Sequence, residues 1–310
     1  MRDKEIELRD KWNTINYFSG GALKLSVDHP LEWYVCYTAL GYKSIVIVSK
    51  IPMKKLNSSL SIDVDSNQRK DKKYATSFTL IENNQEEVFI AMILDIISFS
   101  KVETENLAIQ KVVFRYNQWL KLLNHKNNAI LGCNQQKGLL AELMFLKEKI
   151  ESGMSISTAI AGWVGPEGGD QDFVYSSSWY EIKCTGIAST EISISSVEQL
   201  DRDDEGELII YRIDKCAPEQ PNAYTLYGLV YILIDLISSC DESSDELRSK
   251  LLKAGYIDLK EYDNQYFNVA SKKMYSVNDR FPRIRRKDIP IEITNLEYQI
   301  NIPSIKAFER

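Results

Sequence analysis

Histidine is nearly missing from this chain: His29 and His125 are the only two in 310 residues. Zinc hydrolases, HNH-type nucleases and Ser-His-Asp triads all depend on histidine partners, so these chemistries are set aside at once. The five cysteines, Cys36, Cys133, Cys184, Cys216 and Cys240, are odd in number, widely scattered and form no CxxC pair. Neither a zinc ribbon nor a disulfide framework is indicated, and reduced thiols of a cytoplasmic protein are expected. Positive charge is not in excess either. Against 38 Lys and Arg stand 44 Asp and Glu, a net charge of −6. That argues against a generally basic coat for nucleic acid, although a local basic groove would still steer a polyanion. The most apolar run, Leu226 to Ile237, contains Asp235 and is too short for an ordinary membrane span, so it reads as a buried core helix. The N-terminal MRDKEIELRD is densely charged and does not read as a signal peptide. Any chemistry therefore rests on carboxylates and lysines.

A hydrophobic content of 44% with 26% charged residues is that of a globular protein, and the length suits about two domains of ordinary size. The first hundred residues read as strand-rich. LEWYVCYT and KSIVIVSK form one expected hairpin across an ALGY turn, and KYATSFTLIE with EEVFIAMIL a second. NSSLSIDVDSNQRKDKK contains a polar loop between them, and a long helix is expected over Glu103 to Leu123, ending near NHKNN. From there KGLLAELMFLKEKIESG has amphipathic helical spacing, with Leu139, Leu143, Leu146 and Ile150 on one face and Gly153 as its stop. A Gly- and Pro-rich loop follows, then strands over DFVY, WYEIKCT and EISISS, the start of a helix at SVEQLD and a buried strand ELIIYRID. Helices around Leu226 to Ile237 and SSDELRSKLLKAG, with strands YFNVA, KMYSV and YQINI, complete the chain. The expected domains are residues 1–125, strand-rich; 126–215, the core; and 216–310, an extension packed on that core.

The hairpin GGDQDFVYSSSWYEIKCT carries the informative residues. Side chains two apart on a strand share a face, so Glu181 and Lys183 point one way while Tyr180, Ile182 and Cys184 point the other. If SSS turns the chain back, Asp172 comes within a few ångströms of Glu181. Two carboxylates that close repel unless a cation lies between them, and magnesium commonly takes one or two carboxylates with several waters. Glu142 sits about 60° from Leu139 and about 40° from Leu146 on a helical wheel, inside the edge of the apolar arc. A charge there calls for a partner. Each residue also has an ordinary reading, as exposed strand face, turn aspartate or edge-of-arc charge; the combination and its spacing point to a site.

Helical Glu142, then Asp172, then Glu181-Ile182-Lys183 resemble the nuclease core of the PD-(D/E)XK superfamily, which includes restriction endonucleases. GLLAELMFL, GGDQDFVY, WYEIKCT and ISSVEQL are more similar still to bacterial PD-(D/E)XK motif proteins, a group linked to anti-phage defence loci. The resemblance covers the span from Lys137 to Ile213. One departure is that no proline precedes Asp172, Pro166 lying upstream; the aspartate carries the chemistry. Asp170 competes with Asp172, but Asp172 directly precedes the apolar strand. The resemblance implies an α/β fold whose restriction-endonuclease-like core is a central mixed sheet flanked by helices. The strand-rich α+β N-terminal domain and the C-terminal extension would flank that core. It implies Mg²⁺, with Mn²⁺ as a substitute, held by Asp172, Glu181 and the backbone carbonyl of Ile182. Lys183 would position or deprotonate the attacking water and stabilise developing charge, Glu142 would orient a bound water, and Gln199 would support the site.

The implied activity is Mg-dependent hydrolysis of DNA in restriction or anti-phage defence. Partners would be DNA and ATPase or helicase-like proteins of the same locus; a homodimer is compatible and a membrane is not expected. The competing reading keeps the nuclease fold as a catalytically silent subunit that binds DNA or assembles a defence complex. RFPRIRRK gathers Arg280, Arg283, Arg285, Arg286 and Lys287 within eight residues. That is either a phosphate-contacting patch or a solvated basic loop. The loop from Arg69 to Lys73 reads as solvated.

Overall fold

The computed structural model describes residues 2–16, 20–125, 130–238 and 240–310. It separates into two units, residues 1–129 and 130–310. In the first, α1 (Arg2–Thr14) precedes an antiparallel sheet of β1 (Ala22–Lys24), β2 (Glu32–Tyr37), β3 (Lys43–Ser49), β4 (Ile62–Gln68) and β5 (Tyr74–Leu80). Its strand order is β1-β2-β3-β5-β4. α2 (Glu86–Phe99) and α3 (Glu105–His125) follow. The expected β2–β3 hairpin is present, with Trp33 opposite Ile47 and Val35 opposite Ile45.

The second expected hairpin is not. EEVFIAMIL is the body of α2, and β5 instead pairs with β4, drawn from the stretch read as a polar loop. The two errors have separate causes. α2 buries Val88, Phe89, Ile90, Met92, Ile93, Leu94, Ile96, Ile97 and Phe99. A helix apolar around its whole circumference loses the 3.6-residue signal and looks like a buried strand. β4 is an edge strand whose residues past Val64 are exposed, so its outer half reads as loop. The NHKNN turn lies partly outside the described residues.

The second unit begins with α4 (Cys133–Glu151), which ends just before Gly153 at φ 97°, a left-handed conformation that glycine adopts without strain. After α5 (Ile156–Ala161) come β6 (Phe173–Tyr175), β7 (Ser178–Thr185), β8 (Glu191–Ile194) and β9 (Gly206–Lys215). Then follow β10 (Ala223–Thr225), α6 (Leu226–Leu236), α7 (Asp241–Lys253), β11 (Tyr266–Val277) and β12 (Tyr298–Asn301). The main sheet runs β10-β11-β9-β7-β6 and is mixed, because β7 and β9 are parallel while the other pairs are antiparallel. Helices flank it, as an α/β nuclease-like core requires. Residues beyond 215 supply β10 and β11 to this sheet. YFNVA and KMYSV are one continuous strand with an irregularity between Val269 and Ser271. EISISS leaves the main sheet to pair with β12.

The helix expected at SVEQLD is only a single 3₁₀ turn, Val197–Gln199, and Ser196 makes no side-chain cap. Its continuation would place Asp201, Asp203, Asp204 and Glu205 where the helix dipole disfavours negative charge. One face of β7 and β9 forms a core with β8 and β12 around Trp179, Ile194, Leu208, Ile210 and Ile300. The other face is covered by α4, whose Phe145 ring lies 4.9 Å from both Phe173 and Tyr180. All five cysteines are free, and among the described residues no helix is long and apolar enough to cross a membrane.

His29 is structural. Its Nδ1 accepts from Leu31 N (3.0 Å) and Trp33 Nε1 (3.2 Å), leaving Nε2 to donate to Ser100 Oγ (3.1 Å). Burial lowers its pKa to about 4. The unfolded chain then binds the extra proton between pH 6.5 and 4, so this stabilisation is complete above 6.5 and lost as pH falls. Urea unfolding of the wild type at pH 5 against pH 7 should show a loss about 1 kcal/mol greater than in His29→Asn, the full linkage being reduced because the ring is only partly buried. Equal pH dependence in the two proteins would contradict this assignment.

Candidate active site

The β6–β7 hairpin closes with two residues, Ser176 and Ser177, and pairs Tyr175 with Ser178, Val174 with Trp179 and Phe173 with Tyr180. Continuing that register by one step sets Asp172 opposite Glu181. Cross-strand partners share a face, and a two-residue loop makes alternate pairs from Val174–Trp179 onward the close, non-hydrogen-bonded kind. Asp172 and Glu181 therefore emerge side by side, on the face that carries Trp179 and Lys183. The Asp172 carboxylate also turns onto the β7 backbone, where Oδ2 accepts from Ile182 N at 2.7 Å. Its own carbonyl accepts from Val164 N and Gly165 N at 2.9 and 3.0 Å, fastening the preceding loop. Gly165 is needed for that approach, because a Cβ there would stand 2.9 Å from Asp172 Oδ1.

Glu181 is 1% exposed. Lys183 Nζ forms an ion pair with its Oε1 at 2.8 Å, and beyond that contact neither Glu181 oxygen has a hydrogen-bond partner among the described residues. Lys183 in turn donates to Gln199 Oε1 at 2.9 Å. The same oxygen accepts from Ser195 N (2.9 Å) and Ser195 Oγ (3.2 Å), so the 3₁₀ turn holds the lysine from one side. Glu142 joins from α4, its Oε2 accepting from the buried indole Nε1 of Trp163 at 2.7 Å.

Electrostatics ties the three carboxylates together. Burial holds Glu181 well above the usual carboxylate range; the Asp172 and Glu142 charges add to that and Lys183 opposes it. Burial and then the Asp172 charge raise Glu142 in the same way, against Trp163 and Lys183. Asp172 is lifted by burial to about 6 in spite of the Ile182 N–H and Lys183. Ionised together, the three carboxylates would carry more negative charge than one lysine offsets, and their raised pKa values reflect that.

A divalent cation would relieve this. The Glu181 oxygens face Asp172, and the Ile182 carbonyl points to the same side as its N–H, which bonds Asp172. Among the described residues no three His, Cys, Asp or Glu side chains form a ready metal-holding set. The donors thus suit a hard cation that accepts one or two carboxylates, a carbonyl and waters, not one that needs a full side-chain cage.

Glu142, Asp172, Glu181, Lys183 and Gln199 are brought to one place; the basic segment is not. Arg283 is buried and its Nη1 donates to Leu200 O at 2.6 Å. Arg285 Nε donates to Asp201 Oδ1 at 2.9 Å, and Arg286 Nη1 to Ile293 O at 2.7 Å. Arg280 and Lys287 are exposed. Sequence reasoning missed Trp163, Ser195 and Gln171, whose buried amide donates to Glu198 O at 2.7 Å. A tryptophan inside a Gly-rich loop was the one available signal.

A raised carboxyl pKa means that the folded state binds the extra proton, so stability falls as pH rises from 3.8 to about 6 on account of Asp172. Without divalent ions, Asp172→Asn should unfold at a higher temperature than wild type at pH 7.5, by roughly 1–3 kcal/mol or a few degrees, and the gap should close near pH 4. A variant no more stable than wild type at pH 7.5 would show that the cluster is not strained.

The chain matches a family model described as "Putative PD-(D/E)XK family member, (DUF4420)" over residues 8–303. No curated protein and no solved structure gives a significant match. The model spans both units and every carboxylate of the cluster, and on that coverage this chain belongs to the PD-(D/E)XK family it defines.

Proposed function

We propose that this protein is a metal-dependent endonuclease that hydrolyses DNA phosphodiester bonds, serving restriction or anti-phage defence. The observation that carries this reading is the Glu181 carboxylate, buried with the Lys183 ammonium as its one close partner among the described residues and set opposite Asp172. Family membership and the element order around these residues support it.

Asp172, Glu181 and the Ile182 carbonyl would hold Mg²⁺, or Mn²⁺ in its place. When bound, the ion supplies Lewis-acid stabilisation of the phosphate and lowers the pKa of water. The protein's own groups do the rest. Lys183, fixed between Glu181 and Gln199, presents an ammonium to the charge that develops on the phosphate and orients the attacking water. Glu142, held by Trp163, orients a water from the α4 side. Tyr180 and Ile182 on the opposite face pack the strand rigidly, so these groups sit on a scaffold rather than on a loop.

The alternative is a catalytically silent nuclease-fold subunit that binds DNA or assembles a complex. One observation favours it: the side chains alone offer no three-ligand metal set among the described residues.

Lys183→Ala decides between them. It should lower Mg²⁺-dependent cleavage of plasmid or phage DNA by on the order of 10²- to 10³-fold while leaving the fold intact, and EDTA should abolish wild-type cleavage. The assay includes ATPase or helicase-like proteins of the same locus, and is read together with protection of cells against phage. Protection at the wild-type level with both Lys183→Ala and Asp172→Ala would hand the case to the silent subunit.

The basic segment has its own test. Of the five cations Arg280 and Lys287 are the exposed ones, so if the segment contacts phosphates, replacing both with Gln should flatten the salt dependence of DNA binding by up to about two counterions. Replacing Arg285 should act on stability instead. An unchanged salt slope in the double variant would assign the segment wholly to folding.

A further inference from the structure

Lys250, in the last turn of α7, is 2% exposed, and the reading of the cluster assigns it no role. Its Nζ donates to Trp163 O at 2.7 Å and to Ala161 O at 3.2 Å. It also lies 3.3 Å from Glu167 Oε2 and 3.6 Å from Glu246 Oε1, both carboxylates partly exposed. Burying an ammonium is costly unless it is fully bonded, so a sequence that keeps one here uses it. What it holds is the segment from Ala161 to Gly165.

Four residues of that segment are bonded to the cluster or to the strand beside it. The Gly162 carbonyl accepts from Val174 N at 2.8 Å. The Trp163 indole donates to Glu142 Oε2. The Val164 and Gly165 amides both donate to the Asp172 carbonyl. A single cation anchored on a later helix thus fixes the backbone from which one carboxylate is aimed and against which another is braced. Lys253 on the same helix contacts Glu167 and tightens the clamp one turn on.

We propose that Lys250 is a positioning residue for the carboxylate cluster, acting through Trp163. It touches no substrate. It sets the height of the Trp163 carbonyl, hence the angle at which the indole reaches Glu142, and it keeps the two amides in place behind Asp172. The catalytic consequence rests on the nuclease reading; the structural coupling does not.

The test uses the full chain carrying Lys250→Met, which keeps the length of the side chain and removes the charge and donors, with Lys250→Arg as the conservative variant. The first readout is hydrogen exchange of the indole N–H groups, followed by ¹⁵N-labelled NMR. In wild type, Trp163 should be protected by its bond to Glu142, and Trp179 by its bond to Asp204 O at 3.1 Å. Lys250→Met should lose protection at Trp163 by tenfold or more with Trp179 unchanged, and Lys250→Arg should restore most of it. Loss of protection at both tryptophans together would mark mere destabilisation and overturn the proposal, as would wild-type protection at Trp163. The second readout is Mg²⁺-dependent DNA cleavage, where kcat should fall roughly 10- to 100-fold with KM unchanged, the size of effect that misplacing a group by about 1 Å produces. If wild type cleaves nothing under any condition, the nuclease reading fails while the exchange result still decides the coupling. Should Lys250→Met not fold, Lys250→Gln keeps a polar side chain but removes the charge and, one bond shorter, breaks the contact with the Trp163 carbonyl. Wild-type exchange at Trp163 in that variant would equally overturn the proposal.

Discussion

Much of the second unit answers to one constraint: a carboxylate, Glu181, is placed on an inner strand where it is 1% exposed and paired, among the described residues, with Lys183 only. In a folded protein such a group is neutralised by a proton, paired, or left for a ligand to satisfy. Here pairing is incomplete. Lys183 alone faces three carboxylates, and two of the three have pKa values far above normal, with Asp172 held near 6. The surrounding structure then has two tasks. It must keep three mutually repelling groups from moving apart, and it must leave the Glu181 carboxylate able to take a partner besides Lys183.

The restraints that do this come from the backbone more than from side chains. Ile182 N–H holds Asp172, and two consecutive amides hold the Asp172 carbonyl. Gly165 allows that approach because it has no Cβ. Amides cannot titrate away, so these restraints persist whether or not the carboxylates carry protons. Lys183 is restrained similarly by a neutral carboxamide, Gln199, which is itself locked by Ser195. A rigid neutral frame around an excess of negative charge suits a site that gains its full electrostatic balance only with a cation.

How much of this was readable before folding divides along physical lines. Period-two alternation in WYEIKCT and a turn-forming SSS place Glu181, Lys183 and Asp172 correctly, because hairpin register is a local property. Glu142 was readable because a charge inside an apolar arc violates the helix pattern. EEVFIAMIL was misread because total burial erases periodicity, and β4 because an edge strand with a wet outer half looks like loop. Trp163 and Lys250 are of another kind. Lys250 sits on α7 in an ordinary charged run, DELRSKLLK, and only the tertiary fold reveals that its ammonium lies under the Trp163 carbonyl. No spacing rule connects residues so far apart.

The basic segment shows the same limit from the other side. Five cations in eight residues look like a surface for phosphate, and in sequence nothing argues otherwise. Yet Arg283 ends on the Leu200 carbonyl, while the Arg285 side chain and the Arg286 amide both end on Asp201. Leu200 and Asp201 follow directly on the 3₁₀ turn that carries Gln199, and Gln199 steadies Lys183. These contacts therefore fasten the turn from beneath, and they neutralise part of the acidic run that prevents it from extending into a helix. Burial lowers the pKa of Arg283, as expected for a guanidinium drawn inward. The span of resemblance that ends at Ile213 thus holds the groups proposed to do chemistry, while residues after it hold those groups still: Lys250 behind Glu142 and Asp172, and the arginines behind Lys183.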